Sequence, residues 1–377
     1  MQAKVATIAS YLEDLAPRSF ALPGDNVGLQ VGSFDKSVEK IYVGLDPDPE
    51  VINDALAMGA DLLVTHHPFY YQPLSVIDTA SPTGMLTSLA LKNELSIYSA
   101  HTNYDCTFEG VSYQLARAMG INYRESSVIE ITGSDQLLKL VVFVPVGYED
   151  TVRNALSASG AGHIGKYSHC TFQVAGTGTF MPEEGAKPFL GSSGNLEKVE
   201  EIRIETILPA SKKTLVVEAL KVSHPYEEIA YDLYPLALEG NPVGLGLILD
   251  LDEPMDITGI LEICRESLIS EDIRYYTGNQ KEYNRIALCG GSGGSLIEKA
   301  ALAGAEIFVS GDFRYHDLKF AQGLNLDIID AGHEATEWPA VIYLREYLEQ
   351  RLESDSYKTE VYLQTSLHTQ WNKLQGR

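Results

Sequence analysis

Short apolar runs alternate with helical patterns, and this alternation constrains the fold of the chain more than any other feature. Before residue 130, strand-like runs cover 40–45, 61–65 and 95–100, and helical patterns cover 6–15, 50–58, 85–92 and 111–119. After residue 242 the alternation returns, with strand-like runs at 285–289, 306–310 and 326–330 and a long helical pattern at 335–352. Strands that alternate with helices form βαβ units around a mostly parallel sheet. The sequence therefore predicts an α/β fold.

The order of elements changes in the middle of the chain. There the pattern predicts strand, helix, strand, strand, helix, strand, with a Gly- and Pro-rich loop or hairpin at 176–194. This βαββαβ order is the ferredoxin-like split βαβ arrangement, which makes a small domain of its own. We expect one discontinuous three-layer α/β domain, built from residues 1–130 and 242–377, with an α+β module inserted at 131–241.

Charge and hydropathy disfavour two classes of partner. The 377 residues include 28 Lys and Arg against 52 Asp and Glu, which gives a net charge of −24. Nucleic acids and anionic membranes are bound by basic faces, so both are disfavoured. No run approaches the roughly 18 apolar residues of a membrane span. The four cysteines form no C-x-x-C pair, the N-terminus is not a signal peptide, and we expect a cytoplasmic protein.

Four histidines each follow one of the strand-like runs. They are His66, His67, His101 and His333. Ligands of open parallel sheets bind in the crevice at the carboxyl ends of the strands. We therefore expect the four imidazoles to meet at one edge of one sheet.

Two carboxylates accompany these histidines, because Asp105 and Glu337 stand four residues after His101 and His333. Each pattern alone is more often a cap, a surface pair or a loop, but their coincidence at three strand ends favours a metal centre. Imidazole and carboxylate suit zinc, which we favour, or iron, manganese or cobalt. The proposed ligands exceed one tetrahedral zinc site and fit two divalent ions per chain, about 3.5–4 Å apart. They are His66, His67, Asp105, His333 and Glu337.

Three other features have less specific interpretations. The glycine-rich run at 290–294 follows a strand and could form an anion-binding nest, but a tight turn is the favoured interpretation because no P-loop lysine accompanies it. The cluster at 224–228, which begins with His224, is favoured as a structural turn. His316, four residues after Asp312, either lines the site or is structural.

The sequence resembles the NIF-three-like dinuclear-metal family, whose members are also called GTP cyclohydrolase I type 2 homologues. The matching stretches follow one another along nearly the whole chain: 25–32 (DNVGLQVG), 65–68 (THHP), 99–105 (SAHTNYD), 290–293 (GGSG), 310–312 (SGD) and 330–337 (DAGHEATE). The resemblance places the family's metal ligands on the five residues named above and a site histidine on His101. Gly24 replaces a usual Trp, and Glu334 replaces a frequent aromatic residue. These two departures concern substrate contacts, not the ligands.

The resemblance also implies an assembly and an activity. Long members of the family carry a PII-like or CutA-like module, matched here by 160–167, 176–180 and 224–228, and they form a toroidal homohexamer around an internal cavity. Our first hypothesis is a hydrolase acting on a purine nucleotide such as GTP, through a hydroxide between two ions. Asp105 or Glu337 would bridge the ions, and His101 would orient a ligand or transfer a proton. The alternative is a non-enzymatic, metal-binding regulatory adaptor whose PII-like module senses a ligand.

Overall fold

The computed structural model describes residues 1–268, 270, 272–278 and 280–365. Its chain divides into two units by contacts: Met1–Gly133 together with the chain from Val243 onward, and Ser134–Pro242. Residues 366–377, the end of the predicted second half, lie outside the described residues. None of the described helices combines the length and the apolar character that crossing a membrane requires.

The first part of the larger unit alternates strands and helices. Its elements are β1 (Ala3–Lys4), α1 (Val5–Leu15), β2 (Gly28–Val31), β3 (Ser37–Val38), β4 (Lys40–Gly44), α2 (Pro49–Ala57), β5 (Leu62–Thr65), α3 (Pro82–Lys92), β6 (Ser96–Ser99), α4 (Thr102–Asp105), α5 (Val111–Ala118) and β7 (Ser127–Ser134). Helix α2 begins at an N-cap residue followed by proline, two features typical of helix starts. The Asp48 side chain accepts a hydrogen bond from the Val51 N–H at 2.8 Å, and Pro49 is the first residue of the helix.

The smaller unit and the second part of the larger unit complete the chain. The smaller unit contains β8 (Leu137–Pro145), α6 (Glu149–Ala158), β9 (Phe172–Phe180), β10 (Glu197–Pro209), α7 (Lys213–Ser223) and β11 (Tyr231–Pro235). The larger unit then continues with β12 (Pro242–Met255), α8 (Ile257–Ser267), β13 (Arg274–Tyr276), β14 (Tyr283–Ser292), α9 (Ile297–Leu302), β15 (Ile307–Gly311), α10 (Tyr315–Gly323), β16 (Asp327–Asp330), α11 (His333–Ser354) and β17 (Glu360–Leu363). The structure is a mixed α/β fold, as the sequence predicts.

The first sheet of the larger unit has the order β17-β4-β5-β6-β2. The neighbouring strands from β17 to β6 are parallel, and β2 pairs antiparallel with β6 at the edge. Every residue of β5 and β6 is buried, as expected for strands covered on both faces. Thr65 pairs with Ser99, so β5 and β6 end at the same level. The residues that follow these strands therefore emerge side by side.

A second sheet of the larger unit has the order β13-β16-β15-β14-β12-β7, in which β14, β15 and β16 are parallel. His333 follows β16 in this second sheet, whereas His66, His67 and His101 follow strands of the first. Our expectation that the four histidines meet at one edge of one sheet was therefore wrong. Local patterns identify strands, but they do not determine which strands pair.

Helix α11 brings the two sheets of the larger unit together. Leu344 and Leu348 of this helix belong to the buried cluster that includes Val43 of β4 and Val64 of β5. Ala335, in its first turn, packs in another cluster with Ile329 of β16. The first turn of α11 is thus fixed where the ends of both sets of parallel strands lie.

The smaller unit has the strand order β11-β8-β10-β9, and each neighbouring pair is antiparallel. Its core lies on the face covered by α6 and α7, where Val142 and Ile204 pack against Leu156 and Val216. The sequence predicts a loop or hairpin at 176–194, and the structure has a hairpin there, in which β9 extends to Phe180 and pairs with β10. Glycine weakens a strand without preventing its backbone hydrogen bonds, so the glycines there marked no strand end.

Candidate metal centre

His66 and His67 lie directly after β5, and the backbone of the neighbouring strand holds them there. Their N–H groups donate to the carbonyls of Gly44 at 3.3 Å and Leu45 at 2.9 Å. Both side chains are largely buried, and their ring centroids are 5.1 Å apart. The two adjacent imidazoles therefore line one site from neighbouring positions.

All four predicted site histidines use their Nδ1 atom to contact an acceptor of the protein. The pairs are His66 with the Ala100 carbonyl at 2.8 Å, His67 with Asp46 at 2.7 Å, His101 with Asp25 at 2.9 Å and His333 with Asp312 at 2.8 Å. Carbonyl and carboxylate oxygens accept, so Nδ1 carries the hydrogen and donates. This arrangement leaves Nε2 free to bind a metal ion. Histidines bound to metals are oriented in the same way, because their other ring N–H donates to a carboxylate or a carbonyl.

Glu337 stands among three of the Nε2 atoms. Its Oε1 lies 3.6 Å from Nε2 of His66 and 3.2 Å from Nε2 of His333, and its Oε2 lies 3.2 Å from Nε2 of His67. Ligand atoms on one tetrahedral ion with bonds of about 2.0–2.1 Å are themselves about 3.3 Å apart. These spacings therefore fit atoms that share an ion.

Asp105 completes the set on the side of His66. It ends the short helix α4, and its Oδ1 lies 3.7 Å from Nε2 of His66. The ring centroid of His101 lies 5.4 Å from that of His66 and 5.8 Å from that of His67. The structure thus brings together all five predicted ligands and His101.

Two buried polar atoms of this cluster lack a hydrogen-bond partner among the described residues. They are Nε2 of His66 and Oε2 of Glu337. Oε2 is close to Nε2 of His67, but the two do not have the geometry of a hydrogen bond. A buried polar atom without a partner costs about 1–3 kcal/mol. A cation beside both atoms would remove this cost, so the donor set fits a metal ion.

The charges of the cluster shift the pKa values of its members. Burial alone lowers the pKa of His67, but contacts with Asp46 and Glu337 outweigh burial and raise it to about 10. The pKa of His333 rises to about 9, because Glu337 and Asp312 together outweigh burial. Burial favours the neutral form of Glu337, but the surrounding imidazoles hold its pKa well below the usual value. In the metal-free protein, protonated imidazoles thus supply the positive charge around Glu337.

The glycine-rich run is neither a nest nor a tight turn over its first residues, because β14 continues to Ser292. A Cβ atom on Gly291 would lie 2.2 Å from Oε1 of Glu337, and this residue has a φ of +66°. The Gly291 N–H donates to Oγ1 of Thr336 at 3.0 Å. Glycine is needed here because the strand passes directly against the Glu337 carboxylate.

Sequence reasoning missed the carboxylates that orient the imidazoles. Asp46 comes two residues after β4, and Asp312 comes directly after β15. The histidines were identified because they follow apolar strand-like runs. The same criterion applied to carboxylates would have identified Asp46 and Asp312. Asp25 lies in the stretch 25–32 that carries the family resemblance, but no role in the site was predicted for it. Burial favours its neutral form, but the His101 and Thr102 hydrogen bonds outweigh burial and lower its pKa to about 2.

The remaining histidines with a sequence interpretation lie elsewhere. His316 is exposed, and its ring contacts that of Tyr315. His224, in the smaller unit, donates from Nε2 to the Phe143 carbonyl at 3.0 Å and accepts at Nδ1 from the Tyr226 N–H at 3.1 Å. Both nitrogens of His224 are therefore used to hold a turn.

Similar proteins are known in sequence and in structure. The sequence matches the family described as Duf34/NIF3 (NGG1p interacting factor 3) over residues 3–368. It is 41% identical over 363 residues to a "GTP cyclohydrolase 1 type 2 homolog" of Halalkalibacterium halodurans, covering 96% of each chain. A Bacillus subtilis protein of the same name is 39% identical over 328 residues, covering 87% of each chain. The crystal structure of a Bacillus cereus protein related to NIF3 is similar with a TM-score of 0.79 and 37% identity, over 99% of this chain and 100% of that one.

Proposed function

The chain belongs to the Duf34/NIF3 family, and from this premise we propose that it is a hydrolase that depends on two divalent metal ions per chain. One observation carries the proposal. Four imidazoles each place Nδ1 on a protein acceptor and direct Nε2 to the site, while two of the buried atoms between them lack a hydrogen-bond partner among the described residues. A site with these properties is prepared for cations.

The ligands of the ions would be His66, His67, Asp105, His333 and Glu337. Glu337 is the carboxylate suited to be shared, because its two oxygens face different imidazoles. Zinc is the favoured ion for imidazole and carboxylate ligands. Divalent ions in such a site supply positive charge and lower the pKa of bound water toward about 7.

His101 is the residue we assign to proton transfer. Its Nδ1 is held by Asp25, whose low pKa keeps the carboxylate charged. Asp25 is itself fixed by the Thr102 N–H at 3.1 Å. A carboxylate that orients an imidazole in this way is typical of a general acid or base. His101 would therefore move a proton from Nε2, facing the same site as the ligands.

The substrate we propose is a purine nucleotide such as GTP, because the relatives carry the name GTP cyclohydrolase 1 type 2 homolog. With a net charge of −24, the chain itself repels an anionic nucleotide. The ions would then be the local positive charge that holds it. We further propose a cytoplasmic homohexamer in which the smaller unit is a PII-like module.

The alternative function is a regulatory adaptor that binds metal without catalysis. The observation that favours it is the smaller unit, which has its own hydrophobic core and a cavity described below. In that case the metal centre would stabilise or signal a state of the protein and would turn over no substrate.

Metal analysis combined with a hydrolysis screen separates these functions. We expect about two equivalents of zinc per wild-type chain and turnover of a nucleotide or phosphoester. Glu337→Gln should lose both metal and turnover, whereas Glu346→Gln, on the exposed side of the same helix, should keep both. Metal-loaded protein that hydrolyses none of the compounds would contradict the hydrolase and favour the adaptor. Unchanged metal content in Glu337→Gln would contradict the proposed site.

A further inference from the structure

The smaller unit contains a cavity of about 680 Å³, a volume typical of small-molecule sites. Phe143, Glu201 and Arg203 line it, whereas their neighbours Val142 and Ile204 point into the core beneath α6 and α7. Successive side chains of a strand point to opposite faces of a sheet. The cavity therefore lies on the sheet face that the two helices leave uncovered.

Aromatic rings form much of the wall. Phe180 and Phe189 each contact the ring of Tyr226, with centroids 6.1 Å apart in both pairs. Phe189 is 48% exposed, although it lines the cavity beside other rings. A concave surface lined by aromatic side chains with a few polar groups is typical of small-molecule sites.

A buried carboxylate stands in this wall. Glu201 is only 8% exposed, and its Oε1 accepts a hydrogen bond from the Tyr226 hydroxyl at 3.2 Å. No donor among the residues that the structure describes reaches its Oε2. A Cβ atom on Gly178 would lie 2.0 Å from that oxygen, so glycine makes the room it occupies. Burial and the charge of Glu201 raise the pKa of Tyr226 to about 12, so the phenol remains a donor.

The cavity lining carries more negative than positive charge. Glu183, Glu227 and Glu228 also line it, and Arg203 is the one cation among the described residues that do. The Arg203 guanidinium is already paired with Glu205 at 3.0 Å. Phosphate and carboxylate ligands would meet net negative charge here and are therefore disfavoured.

We infer that this cavity binds a small organic cation: a protonated amine or a quaternary ammonium that carries an apolar or aromatic body. The cationic group contacts Oε2 of Glu201, which accepts no hydrogen bond from the part of the chain that the structure describes. The body of the ligand packs on Phe180, Phe189 and Tyr226, whose ring faces also attract a cation. The inference concerns only the smaller unit and does not depend on the proposed hydrolase.

Three probes of similar size and different charge test this site in the full-length protein. They are phenethylamine, the neutral 2-phenylethanol and the anionic 3-phenylpropanoate, each titrated and followed by ligand-observed NMR at neutral pH. We expect the amine to bind at least about tenfold more tightly than the alcohol, which is about 1.4 kcal/mol. We expect no binding of the carboxylate. Equal affinity for amine and alcohol, or preferential binding of the carboxylate, would overturn the inference.

Two variants locate the site, and one serves as a control. Glu201→Gln keeps an acceptor for Tyr226 and should remove the preference for the amine. Glu218→Gln removes the same charge from the exposed side of α7, away from the cavity, and should keep that preference. Phe189→Ala should weaken amine and alcohol together, and it covers the case in which Glu201→Gln does not fold. An unchanged preference in Glu201→Gln, an equal loss in Glu218→Gln, or unchanged binding in Phe189→Ala would each refute this site.

Discussion

Gly291→Ala is the most informative single substitution at the proposed metal centre, because its effect can be worked out from two distances. The new Cβ would lie 2.2 Å from Oε1 of Glu337 and 3.3 Å from Nε2 of His333. Ordinary contacts begin near 3.4 Å, so the carboxylate must move by about 1 Å. Metal sites tolerate displacements of roughly 0.5 Å. The substitution therefore moves Glu337 out of the geometry that a shared ion requires.

Gly120→Ala is the matched control. Gly120 has a φ of +68°, almost the same as the +66° of Gly291, but a Cβ there would contact nothing within 4 Å. Both variants incur the cost of a left-handed alanine, about 1–2 kcal/mol. Only Gly291→Ala also disturbs the site. The difference between the two variants thus separates backbone strain from the effect on the ligands.

The assay is zinc affinity by chelator competition, with denaturant unfolding of the metal-free proteins alongside. We expect Gly120→Ala to bind zinc like wild type and to be less stable by about 1–2 kcal/mol. Gly291→Ala should be destabilised at least as much and should bind zinc about 10–100-fold more weakly, the usual loss when a ligand is misplaced. If Gly291→Ala binds zinc as tightly as Gly120→Ala, Glu337 is not a ligand in the arrangement described.

Three further predictions concern orientation, pH and stability. Asp46→Ala should weaken zinc binding about 10–100-fold in the same competition assay, while the exposed control Asp35→Ala should not; equal affinities would contradict the orienting role. The pKa values of His67 and His333 are raised to about 10 and about 9, and both imidazoles must lose a proton to bind zinc. Zinc affinity should therefore rise from about pH 6 to about pH 8. Calorimetry in buffers of different ionisation enthalpy measures the protons released. The same shifts stabilise the metal-free fold at low pH, and this contribution should disappear as the pH rises through about 9 to about 10. Asp256→Ala removes the side chain that accepts from the Gly259 N–H at 2.8 Å at the start of α8; it should cost about 1 kcal/mol in denaturant unfolding without changing zinc affinity.

The sequence predicted elements well where burial was uniform or the helical face was clear. The helix at 111–119 and the strand at 61–65 are confirmed, each within one residue. Strand β2 was missed, because its short run begins in a glycine-rich turn. The 14 residues of β12 were not assigned either. Strands at edges or with mixed burial have no simple apolar pattern and are recognised only once their partners are known.

The candidate site shows the same division between local and tertiary information. The four histidines were identified because each follows an apolar strand, and the two carboxylates because each stands four residues after one of these histidines. The structure places all six side chains together. That they hold metal stays a prediction. The role of Gly291 could not be predicted, since it depends on how closely β14 approaches a carboxylate from α11. The pairing of His67 with Asp46 likewise depends on the register between β4 and β5.

The separation of the ligands along the chain has a consequence for how the protein is made. Nε2 of His67 and Nε2 of His333 lie 3.4 Å apart, yet 266 positions separate the two residues. At about 5–20 residues per second, the ribosome delivers His333 about 13 to 50 s after His67. The nascent chain therefore carries only half of the proposed site throughout that interval, and the full set of proposed ligands exists only after Glu337 has been synthesised. An ion bound by both halves would act as a cross-link. Closing a loop of this length corresponds to about 5 kcal/mol of chain conformational entropy.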